Sequence, residues 1–217
     1  MDISALKVGV TGHRPNRLQI GELTVRERLH DVLSALAAGA QNAGRPVPPI
    51  AVSALAEGAD RLFAAVALEL GYRLDVLLPF VSRDYETTFG DATTTDGYRA
   101  LLDRAAHVTS LDGVLADATA AYEAVGRATV DASDVLVTVW DGKPSAGRGG
   151  TADIIAYSLE RGIPVIWIDA TQDRMPRLLE AEGVLLPKRS LSAGARNLTA
   201  RALTALGAAA NLKARAD

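Results

Sequence analysis

Short apolar runs rich in β-branched residues alternate with longer stretches of helical periodicity, and that alternation confines this chain to an α/β fold with a mainly parallel sheet. The first run, Leu6–Thr11, ends in Gly12-His13-Arg14-Pro15. A helix is expected from Glu22 to about Asn42, broken by the Pro46–Pro49 segment, before a second strand at Ile50–Ser53. From Ala59, residues Leu62, Phe63, Val66, Ala67 and Leu70 follow the i, i+3, i+4 spacing of one buried helix face. A third strand, Leu74–Leu78, stops at Pro79. Residues 82–97 are polar and threonine-rich, and read as an excursion with one short helix, the segment best suited to move. On it Tyr85 and Phe89 sit one helical turn apart, suited to stack on a base or to pack on the domain. A short strand near His107–Leu111 and a helix reaching about Ala132 lead to the strongest strand signals, Asp134–Trp140 and Ile163–Ile168. Between those two lie a glycine-rich stretch, 141–150, and a helix starting at Thr151. Residues 1–170 thus read as one α/β domain with a mainly parallel sheet. Residues 171–217 show no comparable strand signal and read as its C-terminal helical extension, with an amphipathic helix through Leu198, Ala202, Leu206 and Leu212.

Composition removes several chemistries. The 217 residues include no cysteine, which excludes disulfides, thiol nucleophiles and Cys-ligated metals. The three histidines, His13, His30 and His107, are not at ligand spacing, so no metal site is expected, and no resident cofactor. No apolar run approaches the roughly 18–20 residues that span a bilayer, and no secretory signal is visible, so a cytoplasmic location and no membrane partner are expected. The formal net charge of −3 gives no support to non-specific nucleic-acid binding, and on that ground nucleic acid is set aside as a partner.

Ligands of open parallel sheets bind beyond the carboxyl ends of the strands, where loops enter helix N-termini. Three loops here should meet on that edge: Thr11-Gly12-His13-Arg14, Ser53 through Asp60, and Asp141 through Thr151. In the last, Gly149 and Gly150 leave the backbone open to close approach. The helix start offers unpaired N–H groups, Thr151 a hydroxyl and Arg148 a charged fork, a combination suited to phosphate. Gly12, His13 and Arg14 follow a buried strand directly, and Ser53, Ala54, Glu57, Gly58 and Asp60 complete the expected ligand-binding set. Glu57 and Asp60 suit either ribose binding or simple helix capping. The P-loop lysine and Ser/Thr are missing after Gly147, which excludes P-loop ATPase chemistry. A Gly147-x-Gly149-x-x-Ala152 match to a dinucleotide fingerprint leaves an NAD(P)-dependent enzyme as a distant alternative. Asp153, Asp141 and Arg127 are the candidate catalytic residues, should the chain be an enzyme.

Taken together, Val8 through Arg14, Ser53 through Asp60, and Asp134 through the Gly-Arg-Gly-Gly-Thr ending at Thr151 resemble the SLOG superfamily, the Rossmannoid group that joins the LOG phosphoribohydrolases and the DNA-processing protein A family. The resemblance spans about residues 6–168. It implies a Rossmann-like, SLOG-type sheet, mainly parallel and flanked by helices, that binds or senses a nucleotide or nucleotide-derived ligand. In the sensor branch it also implies signalling to an effector protein, while the alanine-rich terminal helix suits a homo-oligomer, dimer or tetramer. In the LOG pattern Pro-Gly-Gly-x-Gly-Thr-x-x-Glu, the glutamate position falls on Ile154 here, with Asp153 beside it. A LOG-like N-glycosidic hydrolysis of nucleoside monophosphates, the alternative function, would therefore have to use Asp153, Asp141 or Glu57. The DNA-processing branch implies single-stranded DNA binding, which the charge balance ranked lower.

Overall fold

The computed structural model describes residues 4–45, 47–145 and 147–179. Seven strands form one sheet in the order β4-β3-β2-β1-β5-β6-β7. They are β1 (Lys7–Gly12), β2 (Ile50–Ser53), β3 (Arg73–Leu78), β4 (His107–Ser110), β5 (Val135–Trp140), β6 (Val165–Asp169) and β7 (Arg177–Leu179). All neighbours run parallel except β6 and β7, which are antiparallel. The sheet is Rossmann-like and mainly parallel, with helices flanking it, as the alternation of apolar runs and helical stretches implied.

Burial follows the apolar runs. Every residue of β2 and β5 is buried, as expected of strands covered on both faces, whereas all four residues of the edge strand β4 are exposed. Helical crossovers link the parallel strands on both sides of β1. They put α1 (Glu22–Asn42) and α2 (Ala59–Glu69) against each other, and likewise α5 (Ala118–Asp131) and α6 (Thr151–Glu160). Helix α2 buries Phe63 and Val66 against the sheet, each worth about 1.5–3 kcal/mol in transfer terms.

Two elements differ from the sequence reading. The excursion after β3 holds two helices, α3 (Ser82–Glu86) and α4 (Ala92–Leu102). Asp91 starts the second by accepting the Thr94 N–H at 2.8 Å. The excursion is also packed: Tyr85 and Tyr98 are fully buried and meet edge-on, with ring centroids 5.8 Å apart. Strand β7 was not anticipated, because three residues are too few to show a period of two. The expected terminal helix lies outside the described residues.

Candidate functional site

The strand order reverses between β1 and β5, so the loops that follow these two strands diverge and leave a crevice at the carboxyl edge. Two connected lobes, of about 410 and 260 Å³, share His13, Arg17, Tyr122, Gly149, Gly150 and Thr151 as walls. The larger lobe extends over Gly12 to Arg14, Ala54, Asp60 and Tyr85, and the smaller over Lys143 and Arg148. The three loops singled out in the sequence do converge here.

His13 is the hub. It is 5% exposed, its N–H donates to Val139 O across β5, and its carbonyl accepts the Ala59 N–H at the start of α2. Its Nε2 lies 3.0 Å from Asp141 Oδ1, off a good hydrogen-bond line, and its Nδ1 lies 3.4 Å from Thr151 Oγ1. Burial lowers the imidazole pKa, outweighing the contrary pull of Asp141, and the nearby Arg17 cation lowers it further. Asp141, 4% exposed, also holds the Arg17 guanidinium and accepts the Lys143 N–H at 3.0 Å. Burial would raise its carboxyl, but these hydrogen bonds prevail and hold it well below the usual carboxylate range. Asp141 is therefore a fixed anion at neutral pH, a positioning group and a poor proton shuttle.

The β2–α2 loop is spent largely on itself. Leu55 is held at φ 55°, a strained conformation for a branched side chain, and is fully buried. Ser53 Oγ accepts the Leu55 N–H at 3.1 Å and donates to Asp60 O, so this fully buried hydroxyl points inward to the loop. Arg61 donates to Leu55 O and Thr94 O and stacks on Phe89, with its guanidinium carbon 4.3 Å from the ring centroid. Glu57 joins Arg14 at 2.9 Å and accepts the Gly90 N–H, tying two loops to the excursion. Gly58, at φ 93°, passes so close to the first loop that a Cβ would sit 2.5 Å from His13 O. Asp60 lines the crevice, and burial pushes its carboxyl up to about 7, against the backbone N–H groups of Ala56 and Ala54 and the Arg14 charge.

The β5–α6 loop is different. Gly149, at φ 76°, lies where a Cβ would be 2.9 Å from Glu123 N, so its bareness lets the loop press on α5. Gly150 precedes α6 with no side chain of its own to cap it; Ser145 Oγ accepts the Asp153 N–H at 3.2 Å, while Gly150, Thr151 and Ala152 line the crevice at the start of the helix. The side chain of Arg148 is 80% exposed and reaches Glu123 at 3.0 Å, while Lys143 has no carboxylate partner among the described residues. Asp153 is exposed and Arg127 pairs with Glu123 over the Tyr157 ring, so neither of these catalytic candidates stands in the crevice wall. Ile154 does, beside Gly126. The sequence reading did not single out Arg17, Lys143 or Tyr122 as site residues. Arg17 had a signal in the Pro15-led turn that returns it to the strand end. Tyr85 and Phe89 belong to the aromatic cluster, although Tyr85 also reaches the larger lobe.

No group of three metal-ligating side chains occurs among the described residues, and no described helix is long and apolar enough to cross a membrane. No family model and no curated protein matches the chain. Among solved structures it is similar to DNA processing protein A of Streptococcus pneumoniae, with a TM-score of 0.52 and 16% identity, over 90% of this chain and 56% of that one. It is also similar to DNA processing protein A of Helicobacter pylori, described for its single-stranded DNA binding mode, with a TM-score of 0.49 and 16% identity, over 77% and 70% of the two chains. The chain thus spans little more than half the length of the pneumococcal protein. The likeness corrects one expectation. Nucleic acid had been set aside on net charge, yet the fold is one that a DNA processing protein carries. Whole-chain charge is also the wrong measure for a site whose rim gathers Arg14, Arg17, Lys143 and Arg148. What the comparison establishes is the fold alone, a Rossmann-like sheet.

Proposed function

We propose that the crevice binds the phosphate of a nucleotidyl ligand, carried by a free nucleotide or by single-stranded DNA. One observation carries this reading: the N-terminus of α6, with Gly150, Thr151 and Ala152 in the wall, lines the switch-point crevice beside Lys143, a cation with no carboxylate partner among the described residues. The larger lobe, walled by Tyr85, Tyr122, Ala54 and Ile154, gives an apolar surface for a base next to the phosphate end. Single-stranded DNA enters because the protein of similar fold is a DNA processing protein. Turnover has less support, since Asp60 is the one carboxyl among the described residues that lines either lobe.

The test is a thermal-shift panel of mononucleotides, cyclic nucleotides, NAD-derived metabolites and a thymidine oligomer. At least one ligand should raise the melting temperature, and Lys143→Glu should weaken that effect without unfolding the protein. A DNA ligand should lose affinity steeply with salt, with a log–log slope of about −0.7 per phosphate contacted. A flat panel removes the reading.

A further inference from the structure

A chain of three side chains leads from the buried carboxylate to the phosphate end of the crevice: Asp141, His13 and Thr151. The imidazole is more than nine-tenths buried, reaches both lobes, and has an Nε2 with no good hydrogen-bond partner. The ionisable groups around it are few. Asp141 from the end of β5 and Arg17 from the turn after β1 face it directly. Arg14 and Asp60 line the larger lobe, and Lys143 and Arg148 the smaller. Helix α6 brings the Thr151 hydroxyl, and α2 meets only the His13 backbone.

This arrangement fixes where protons sit. The ionised Asp141 favours N–H on Nε2, which leaves the Nδ1 lone pair for the Thr151 hydroxyl to donate to. In that state Thr151 has no hydrogen to give to an anion. Adding one proton at Nδ1 reverses the contact: Nδ1–H donates to Thr151 Oγ1, and the hydroxyl hydrogen is released toward the crevice. A single proton therefore supplies a positive charge and a new donor beside the α6 N-terminus. Burial keeps the empty site without that proton at neutral pH.

We propose that this relay makes the crevice select dianionic tetrahedral groups, such as the terminal phosphate of a nucleotide or of a strand end, over the monoanionic phosphodiester. The inference rests on the reading of the crevice as a phosphate site. A dianion favours the charged imidazole more strongly than a monoanion does, and so gains both the charge and the donor. A diester meets the neutral relay, with Thr151 turned away from it.

Sulfate and methyl sulfate test this, because sulfate stays dianionic and methyl sulfate monoanionic across the useful pH range. Imidazole resonances of the full chain are followed by NMR, with His13 assigned by its loss in His13→Gln and with His30 and His107 as internal references. Sulfate should bind about three- to fivefold more tightly near pH 6 than near pH 8 and raise the His13 midpoint by about one unit. Methyl sulfate should change by less than about twofold over that range and leave the midpoint near its ligand-free value. His13→Gln should lose the pH dependence of sulfate binding. Thr151→Val, nearly isosteric and partly exposed, should lose most of the preference while remaining folded, which covers the case that His13→Gln does not fold. Equal binding of the two anions overturns the inference, as does a pH dependence that survives in both variants, or a His13 midpoint unmoved by about 100 mM sulfate. If the nucleotide panel succeeds and the anions bind equally, only this inference fails. If the panel is flat and neither anion binds, both readings fall.

Discussion

The β2–α2 and β5–α6 loops look alike in sequence: each follows a buried strand, carries glycine, and has hydroxyl, acid and arginine side chains in or beside the entry to a helix. In the fold they do opposite things. The first consumes its polar groups: Ser53, Glu57 and Arg61 all bond to loop backbone or to a neighbouring loop. The second spends Ser145 on the Asp153 N–H, but it keeps the start of α6 in the crevice wall and Lys143 without a carboxylate partner among the described residues. The first loop builds the wall and the second presents the chemistry. Composition alone could not separate them, because the difference lies in whether each polar group has already found a partner.

Substitutions can sharpen or break that contrast. The largest effect is expected from Gly58→Ala, which puts a Cβ against the His13 carbonyl at a positive φ and should cost about 3 kcal/mol in urea unfolding. Next comes Asp60→Asn. A carboxyl raised to about 7 contributes stability that is full below about pH 4 and is lost as pH rises through about 7. The asparagine variant should therefore gain on the parent between about pH 5 and 8, by about 2 kcal/mol, in melts at the two pH values. Arg61→Ala should cost about 1–2 kcal/mol through lost hydrogen bonds and ring stacking, with ligand affinity unchanged. Lys143→Ala should do the reverse, weakening ligand binding about fivefold by calorimetry with stability within about 0.5 kcal/mol of the parent. Arg148→Ala, mostly exposed and already paired with Glu123, should weaken binding by only about twofold. The contrast between the loops fails if Arg61→Ala lowers affinity at unchanged stability, or if Lys143→Ala unfolds the protein.

The sheet was legible because β1, β2, β5 and β6 are dense in apolar and β-branched residues, and β3 keeps Leu74 and Val76 to Leu78 around a single Asp75. The meeting of three loops on one edge followed from parallel connectivity. Asp153 could have been set aside by arithmetic: with Thr151 in the crevice, two residues on is about 200° around the helix, and three residues on returns Ile154 to the wall. The Asp91 cap that starts α4 was likewise readable, since an acid accepts the N–H three residues later. Arg17 and the burial of Asp60 were not readable. Each depends on how a short turn or loop is pressed by a neighbour distant in sequence, through Asp141 for the one and the excursion for the other. That Lys143 has no carboxylate partner among the described residues was equally hidden, because pairing is a property of the assembled surface.

The strand order also bears on how the molecule comes into being. Strand β1 is paired on one side with β2 and on the other with β5, joining Val8 to Val135. The floor of the crevice is thus made from the two ends of a very long loop, whose closure carries an entropic cost that only the finished sheet offsets. A nascent chain halted before β5 presents His13 on an open strand edge, with neither Asp141 nor Thr151 to meet it. Ligand competence should consequently arrive late in folding, well after the β2–α2 loop has closed, and the empty edge of β1 is the part of the unfinished protein most exposed to mispairing.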